Sequence, residues 1–145
     1  MDRARISRCI KRMAIQVYEH FSVNLPLHVI GLNKRGFALA KELVSELNEL
    51  RPNKDNVIYH LDVFSKGNKT IPDLNDQQVL IVDDVVFSGQ TLFQALSVLF
   101  HSQKPEIIEI VSLIDRGHRR YPILANIVGE HLSLIHISEP TRPSQ

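Results

Sequence analysis

Short, continuous apolar runs alternate along this chain with longer segments in which apolar residues recur at helical spacing. The central runs are apolar at consecutive positions, so strands formed there would be buried on both faces. This alternation predicts an α/β fold in one domain, with a parallel-sheet core flanked by helices. The predicted strands are Leu25–Leu32, Asn56–Phe64, a run starting at Val79, Pro105–Asp115 and Leu124–Leu132, and the predicted helices are Ile6–Phe21, Phe37–Leu47 and Thr91–Phe100.

The composition narrows the class of protein. The 145 residues are 43% hydrophobic and 23% charged, which is typical of a soluble globular domain, and no apolar run approaches the length of a membrane span. The single cysteine, Cys9, has no partner for an internal disulfide, which favours a reducing, cytoplasmic setting. The formal net charge of +1 gives no electrostatic argument for a nucleic-acid-binding protein.

Three polar turns follow predicted strands, at Asn33–Gly36, Asp83–Thr91 and Asp115–Arg120. Open parallel sheets bind their ligands beyond the carboxyl ends of the strands. We therefore expect these turns to lie at one edge of the sheet and to form the binding site.

The turn in "VLIVDDVVFSGQTL" combines an acidic pair with a small, hydroxylated segment. Gly89 permits close approach of the backbone, and the free amides at the start of the next helix suit a phosphate. Asp83 and Asp84 would repel a phosphate unless a sugar, whose hydroxyls donate to carboxylates, lay between. The spacing of a Walker A loop is absent. The residues alone equally allow a solvated acidic turn followed by a helix that Ser88 caps.

The same stretch closely resembles the signature of the type I phosphoribosyltransferases, a family with a Rossmann-like fold. The resemblance implies that Asp83 and Asp84 hold the ribose hydroxyls of phosphoribosyl pyrophosphate. It implies that the 5′-phosphate lies within the loop formed by Phe87, Ser88, Gly89, Gln90 and Thr91.

A second stretch, "GLNKRG", resembles the pyrophosphate loop of that family. By this resemblance Lys34, Arg35 and Gly36 approach the leaving pyrophosphate, and Arg35 joins Asp83 and Asp84 as a catalytic residue. Mg²⁺ is the implied cofactor, held mainly through the substrate and in addition by one of the two aspartates.

A third stretch, Ser112–Leu132, is similar to the matching region of bifunctional pyrimidine-operon attenuators that are also uracil phosphoribosyltransferases. There the run containing Asp115 and Arg116 lies near the nucleobase. The implied reaction transfers ribose 5-phosphate to uracil, forms UMP for pyrimidine salvage and releases pyrophosphate. Purine members usually carry a third aspartate where this chain has Phe87, which favours a pyrimidine.

Alternatives to a uracil enzyme stay open. One is a purine (hypoxanthine or guanine) phosphoribosyltransferase. Another is a nucleotide-sensing, RNA-binding regulator with little turnover, for which Arg116, Arg119 and Arg120 provide a small basic cluster, although the low net charge disfavours RNA. A third is a relative that binds sugar phosphates without turnover. Family members assemble as homodimers or larger homo-oligomers, and the sequence fixes no interface.

Two segments depart from the family pattern. The loop Asp62–Gln78 is shorter than expected and lacks the arginine of the attenuator proteins, leaving Lys66 and Lys69 as its basic residues. The tail Ser133–Gln145 resembles translated adaptor DNA and is expected to be non-native. The expected phosphoribosyltransferase domain is therefore 1–132, with an incomplete C-terminal hood over the base.

Overall fold

A computed structural model describes residues 1–22, 24–51, 55–66 and 70–132. The predicted tail, 133–145, and Lys69 lie outside these residues. The described elements agree with the predicted ones in order and in type. They are helix α1 (Arg3–His20), strand β1 (Leu27–Leu32), helix α2 (Asn33–Leu50), strands β2 (Val57–Leu61) and β3 (Gln78–Val86), helix α3 (Gln90–Phe100), and strands β4 (Ile107–Asp115) and β5 (Ile127–His131).

The five strands form one parallel sheet in the order β2-β1-β3-β4-β5. This confirms the predicted parallel core, and it brings the carboxyl ends of all five strands to a single edge. The chain leaves β1 for β2 on one side and returns to β3 on the other, so the strand order reverses between β1 and β3. Crevices at such reversals are where open α/β sheets bind ligands.

Helices cover both faces of the sheet, and the residues of β3 show why. Leu80 and Val82 pack in a cluster with residues of α1 and α2, whereas Val79 and Ile81 pack with residues of α3. All four side chains are fully buried. Because successive side chains of a strand point to opposite faces, only a continuous apolar run fits a strand covered on both sides.

One predicted turn is instead helical. Asn33–Gly36 forms the first turn of α2, which begins directly after β1. Asn33 adopts a φ of 58°, in the left-handed region that asparagine tolerates better than most residues. The chain therefore changes direction at this single residue and needs no separate turn.

Helix α1 also reaches the far edge of the sheet. Arg12 donates hydrogen bonds to the backbone carbonyls of Val128 and Gly129, and Arg5 pairs with Glu130. The Cys9 Sγ lies 3.9 Å from the Gly129 carbonyl. The first element of the chain and the last described strand are thus in direct contact. No helix of the described chain is long and apolar enough to cross a membrane.

Candidate active site

The acidic pair lies at the carboxyl end of β3, beside the strand-order reversal. Asp83 shares its face of the sheet with Val79 and Ile81 and lines a cavity of about 130 Å³ next to α3. Asp84 points to the opposite face, where its Oδ2 lies 4.0 Å from the Arg35 Nη1. The two carboxylates therefore face the two predicted binding loops, one each.

Asp83 is much the more buried of the pair. Its residue is 5% exposed, whereas the side chain of Asp84 is 27% exposed. Burial first, and then the negative charge of Asp84, raise the pKa of Asp83 to about 7. The Asp84 amide donates to Asp83 Oδ1 at 3.0 Å and partly opposes this rise in pKa. A ligand that brings a hydroxyl donor or a cation would favour the charged form.

The segment 87–91 forms a tight loop between β3 and α3. Gly89 adopts a φ of 87°, and its carbonyl accepts the first hydrogen bond of α3, from Phe93 N. The Ser88 hydroxyl accepts from Gln90 N at 3.2 Å, but the N-cap of α3 is Gly89, one residue later than the predicted cap, and it forms no side-chain cap hydrogen bond. The cavity above the loop remains, lined by Asp83, Val85, Val86, Phe87, Ser88, Gly89, Gln90, Thr91 and Leu92. The hydrogen bond of Ser88 therefore leaves this cavity open.

The basic residues lie on the first turn of α2. Lys34 and Arg35 are exposed, and the Arg35 side chain is 85% exposed. Gly36 is buried, and a Cβ added there would lie only 2.7 Å from the Val82 carbonyl oxygen. Glycine thus lets this turn lie directly on β3, next to the acidic pair.

Asn33 is a site residue that the motif analysis did not single out. Its Oδ1 accepts a hydrogen bond from Val63 N at 2.9 Å, which ties the turn after β2 to the start of α2. The only signal in the sequence was the tolerance of asparagine for left-handed backbone.

The loop after β4 completes the edge. Asp115 is buried, its Oδ1 accepts from Gly117 N at 2.9 Å, and its Oδ2 pairs with Arg119.

The Arg116 guanidinium lies 5.7 Å from the centre of the Phe87 ring. Phe87 is 47% exposed, so it does not pack beneath its loop. A second cavity, of about 740 Å³, is lined by Phe87, Ser88, Gly117, His118, Arg119 and Arg120.

Comparisons with known proteins identify the family and the fold. The family model of the phosphoribosyl transferase domain matches residues 2–141. The chain belongs to this family. Among its phosphoribosyltransferase relatives is the bifunctional protein PyrR of Deinococcus radiodurans, 36% identical over 88% of this chain and 76% of that protein. The bifunctional protein PyrR of Leuconostoc citreum is 29% identical over 91% of this chain and 82% of the relative.

Solved phosphoribosyltransferase structures share the fold. A hypoxanthine-guanine phosphoribosyltransferase from Bacillus anthracis aligns with a TM-score of 0.78 at 21% identity, covering 91% of this chain and 82% of that one. A hypoxanthine phosphoribosyltransferase from Trypanosoma cruzi, in complex with the product IMP, aligns with a TM-score of 0.78 at 23% identity, over 90% and 77% of the two chains. The α/β parallel-sheet fold predicted from the sequence is thereby confirmed.

Within this phosphoribosyltransferase fold, the three predicted loops do meet at one edge. The acidic pair, the 87–91 loop and the basic turn of α2 are adjacent, and Arg116 lies against Phe87. The Asp115 carboxylate is the exception, because both of its oxygens are bound within its own loop. Arg119, its partner, was grouped with two other arginines in the sequence, whereas its side chain is only 15% exposed.

Proposed function

We propose that this chain transfers the ribose 5-phosphate of phosphoribosyl pyrophosphate to uracil and releases pyrophosphate. The proposal rests on one observation: the two aspartates of the acidic pair point to opposite faces of the sheet. Asp83 faces the 87–91 cavity, and Asp84 faces Arg35. A phosphorylated sugar lying between them would place its two charged ends on opposite sides of the carboxylates.

In this proposal the ribose hydroxyls donate hydrogen bonds to Asp83 and Asp84. The 5′-phosphate occupies the cavity of the 87–91 loop, where it accepts hydrogen bonds from backbone amides and from the hydroxyls of Ser88 and Thr91. These contacts fix the position of C1′, to which the base is joined.

The leaving pyrophosphate lies toward Lys34 and Arg35, whose exposed cations neutralise its growing charge. As the bond from C1′ to the pyrophosphate oxygen breaks, a ring nitrogen of the base forms the new bond. The base loses its N–H proton in the process, to the departing pyrophosphate or to water. Positive charge that develops on the sugar ring is stabilised by the neighbouring carboxylates. No covalent link to the protein is needed.

Mg²⁺ fits the donor set. The described part of the chain has no cluster of three or more metal-ligating side chains. Asp83 and Asp84 supply two carboxylates, and proteins usually hold Mg²⁺ through one or two carboxylates together with substrate phosphates. The ion would be held mainly through the substrate and by one of these two aspartates, and it would supply further neutralisation of the pyrophosphate.

The base would enter the cavity of about 740 Å³ beside Phe87. Phe87 offers an aromatic face and no proton acceptor, which suits a pyrimidine without a ring nitrogen equivalent to purine N7. Arg116 contributes donors for the carbonyl groups of uracil, while Asp115 acts indirectly by shaping the loop. Similarity to proteins called bifunctional protein PyrR supports the pyrimidine assignment.

A base screen tests the proposal. Uracil, hypoxanthine, guanine and orotate are each incubated with the protein, phosphoribosyl pyrophosphate and Mg²⁺, and pyrophosphate release is measured. We expect kcat/KM for uracil to exceed that for each purine at least about tenfold, or about 1.4 kcal/mol. A preference for hypoxanthine or guanine would establish the purine alternative. Binding of the sugar without release for any base would establish a relative that lacks turnover.

A regulatory function is the second candidate, favoured by the surface around Phe87. Exposed Arg116 and His118 lie against this half-exposed ring, and exposed Arg120 lines the same cavity, a combination that suits stacked RNA bases and phosphates. Filter binding of pyrimidine leader RNA, with and without UMP, distinguishes the two. UMP-dependent RNA binding without turnover would favour the regulator. A cytoplasmic location and assembly into homodimers or larger oligomers stay predictions.

A further inference from the structure

Three consecutive carbonyl groups, at the end of β3 and the start of the phosphate loop, are bonded to one neighbouring segment. Val86 O accepts from Arg116 N at 2.8 Å, and Phe87 O accepts from Arg119 Nη1 at 2.8 Å. Ser88 O accepts from the backbone amides of Arg120 and Tyr121 at 2.9 and 3.0 Å. Three consecutive carbonyls are therefore bound to residues 116–121.

This arrangement determines where the amides point. In a planar trans peptide the C=O of one residue and the N–H of the next lie on opposite sides. The amides of Ser88 and Gly89 are therefore directed away from residues 116–121. In the described part of the chain neither amide has a hydrogen-bond partner. Free, oriented amides of this kind are what a phosphate requires.

Only one of these bonds comes from a side chain. Arg119 Nη1 holds the Phe87 carbonyl, while its Nε donates to Ile123 O at 2.7 Å and its Nη2 to Asp115 Oδ2 at 2.6 Å. The side chains of Arg119 and Asp115 are 15% and 9% exposed. The rigid guanidinium thus joins three separate points, and a flexible ammonium cannot reproduce this.

The packing around Gly89 supports the same role. A Cβ on Gly89 would lie 3.7 Å from Arg119 Cδ and 3.3 Å from the Tyr121 carbonyl oxygen. The loop therefore lies directly on the arginine stem. Movement of Arg119 would shift both the peptide that it bonds and the glycine that packs on it.

We propose that Arg119, held in place by Asp115, is the positioning residue of the 5′-phosphate loop. The inference rests on the proposed binding of a sugar phosphate in that loop. Arg119 does not touch the proposed substrate, and it acts by fixing the orientation of the Phe87–Ser88 peptide. The 5′-phosphate does not react, so its contacts are equal in the ground and transition states. Loss of Arg119 should therefore raise KM for phosphoribosyl pyrophosphate and leave kcat nearly unchanged.

Calorimetry with two ligands tests this inference. Ribose 5-phosphate reports on the 87–91 loop, and pyrophosphate reports on the basic turn of α2. For Arg119→Gln we expect the affinity for ribose 5-phosphate to fall about tenfold or more, with the affinity for pyrophosphate within about twofold of wild type. Arg8→Gln, which removes the same charge from an exposed position of α1, should change neither affinity.

A second pair of variants separates positioning from general stability. Arg119→Lys keeps the charge but not the three-way contact, so it should show the same selective loss, and it decides the matter if Arg119→Gln does not fold. Asp115→Asn should weaken ribose 5-phosphate binding less than Arg119→Gln. The double variant should bind like Arg119→Gln alone, because both residues act through one contact.

Three outcomes have distinct meanings. Wild-type protein that binds no ribose 5-phosphate would overturn the proposed function, and the inference with it. Wild-type binding that Arg119→Gln and Arg119→Lys leave intact would overturn the inference alone. Equal losses for ribose 5-phosphate and pyrophosphate would show a general structural role and would also overturn it.

Discussion

The phosphate loop and the basic turn lie at the same edge of the sheet but are built differently. In the phosphate loop, Gly89 is buried and three consecutive carbonyls are hydrogen bonded. In the basic turn, the cations of Lys34 and Arg35 extend into solvent, and the Arg35 Nη1 lies 4.0 Å from Asp84 Oδ2. Asn33 and Gly36 hold only the backbone of this turn.

This difference separates two ways to bind a phosphate. Backbone donors of the loop are oriented when the chain folds, so a ligand spends little free energy on ordering them. Each long side chain of the basic turn loses up to about 2 kcal/mol of rotamer entropy when it is immobilised. Its exposed charge is also screened by salt. The loop should therefore dominate ground-state affinity, and the basic turn should respond to ionic strength.

The largest effect should come from Asp83, the buried carboxylate on the side of the phosphate loop, and it should fall on the free energy of unfolding. Because the pKa of Asp83 is raised to about 7 in the folded protein, the folded state holds this proton between about pH 4 and pH 7 while the unfolded state releases it. The free energy of unfolding therefore falls as pH rises through this window. Asn has no proton to lose in this range, so the free energy of unfolding of Asp83→Asn should exceed that of wild type by about 2–4 kcal/mol at pH 8. At pH 4 the two values should be similar.

Urea unfolding of both proteins from pH 4 to pH 8 measures this difference. Other titrating groups affect wild type and variant alike and cancel in the comparison. A stability difference that does not change with pH would show that Asp83 is charged in the fold across the whole range.

Asp84 should have the next largest effect, on the reaction instead of on the fold. Its side chain is 27% exposed, so Asp84→Asn should unfold near the wild-type midpoint. Loss of a charge-assisted contact of about 1.5–3 kcal/mol should lower kcat at least about tenfold. Steady-state rates of pyrophosphate release, measured beside the unfolding midpoint, check this expectation. Unchanged kinetics would remove Asp84 from the site.

The smallest effects should come from the basic turn. Lys34→Met and Arg35→Met each remove an exposed cation. An exposed ion pair, such as one between this cation and pyrophosphate, contributes about 0.2–1 kcal/mol. We expect pyrophosphate to bind about two- to fivefold more weakly in each variant, with a smaller difference at high salt. Calorimetry at two salt concentrations measures this. A large, salt-independent loss would contradict the contrast between the two binding loops.

The amino-acid pattern predicted most of the fold and the general location of the site. Continuous apolar runs such as Val79–Val82 fit strands buried on both faces, and their alternation with helical patterns indicated a parallel sheet with helices on both sides. Once the sheet is parallel, the acidic pair and the basic turn must share an edge. The family motifs then supplied the expected roles, which biochemical tests must decide.

Details that depend on single dihedral angles were beyond sequence reasoning. The left-handed backbone of Asn33 turned a predicted loop into the first turn of α2. In "RGHRR", nothing distinguishes Arg119 from Arg120, yet only Arg119 turns inward to meet Asp115 four residues before it. The inward orientation of Arg119 depends on the path of the whole loop, which includes the left-handed backbone of Gly117.

The attachment of α1 to β5 has a consequence for synthesis of the protein. Arg12 and Cys9 contact Gly129, 117 and 120 residues further along the chain. On the ribosome, the first helix therefore waits for these contacts until nearly all of the described chain has been made. Its apolar face, including Met13 and Val17, is incompletely covered during that time. Contacts of such high sequence separation form late in folding, so this apolar face is available for non-native contacts until β5 has been made.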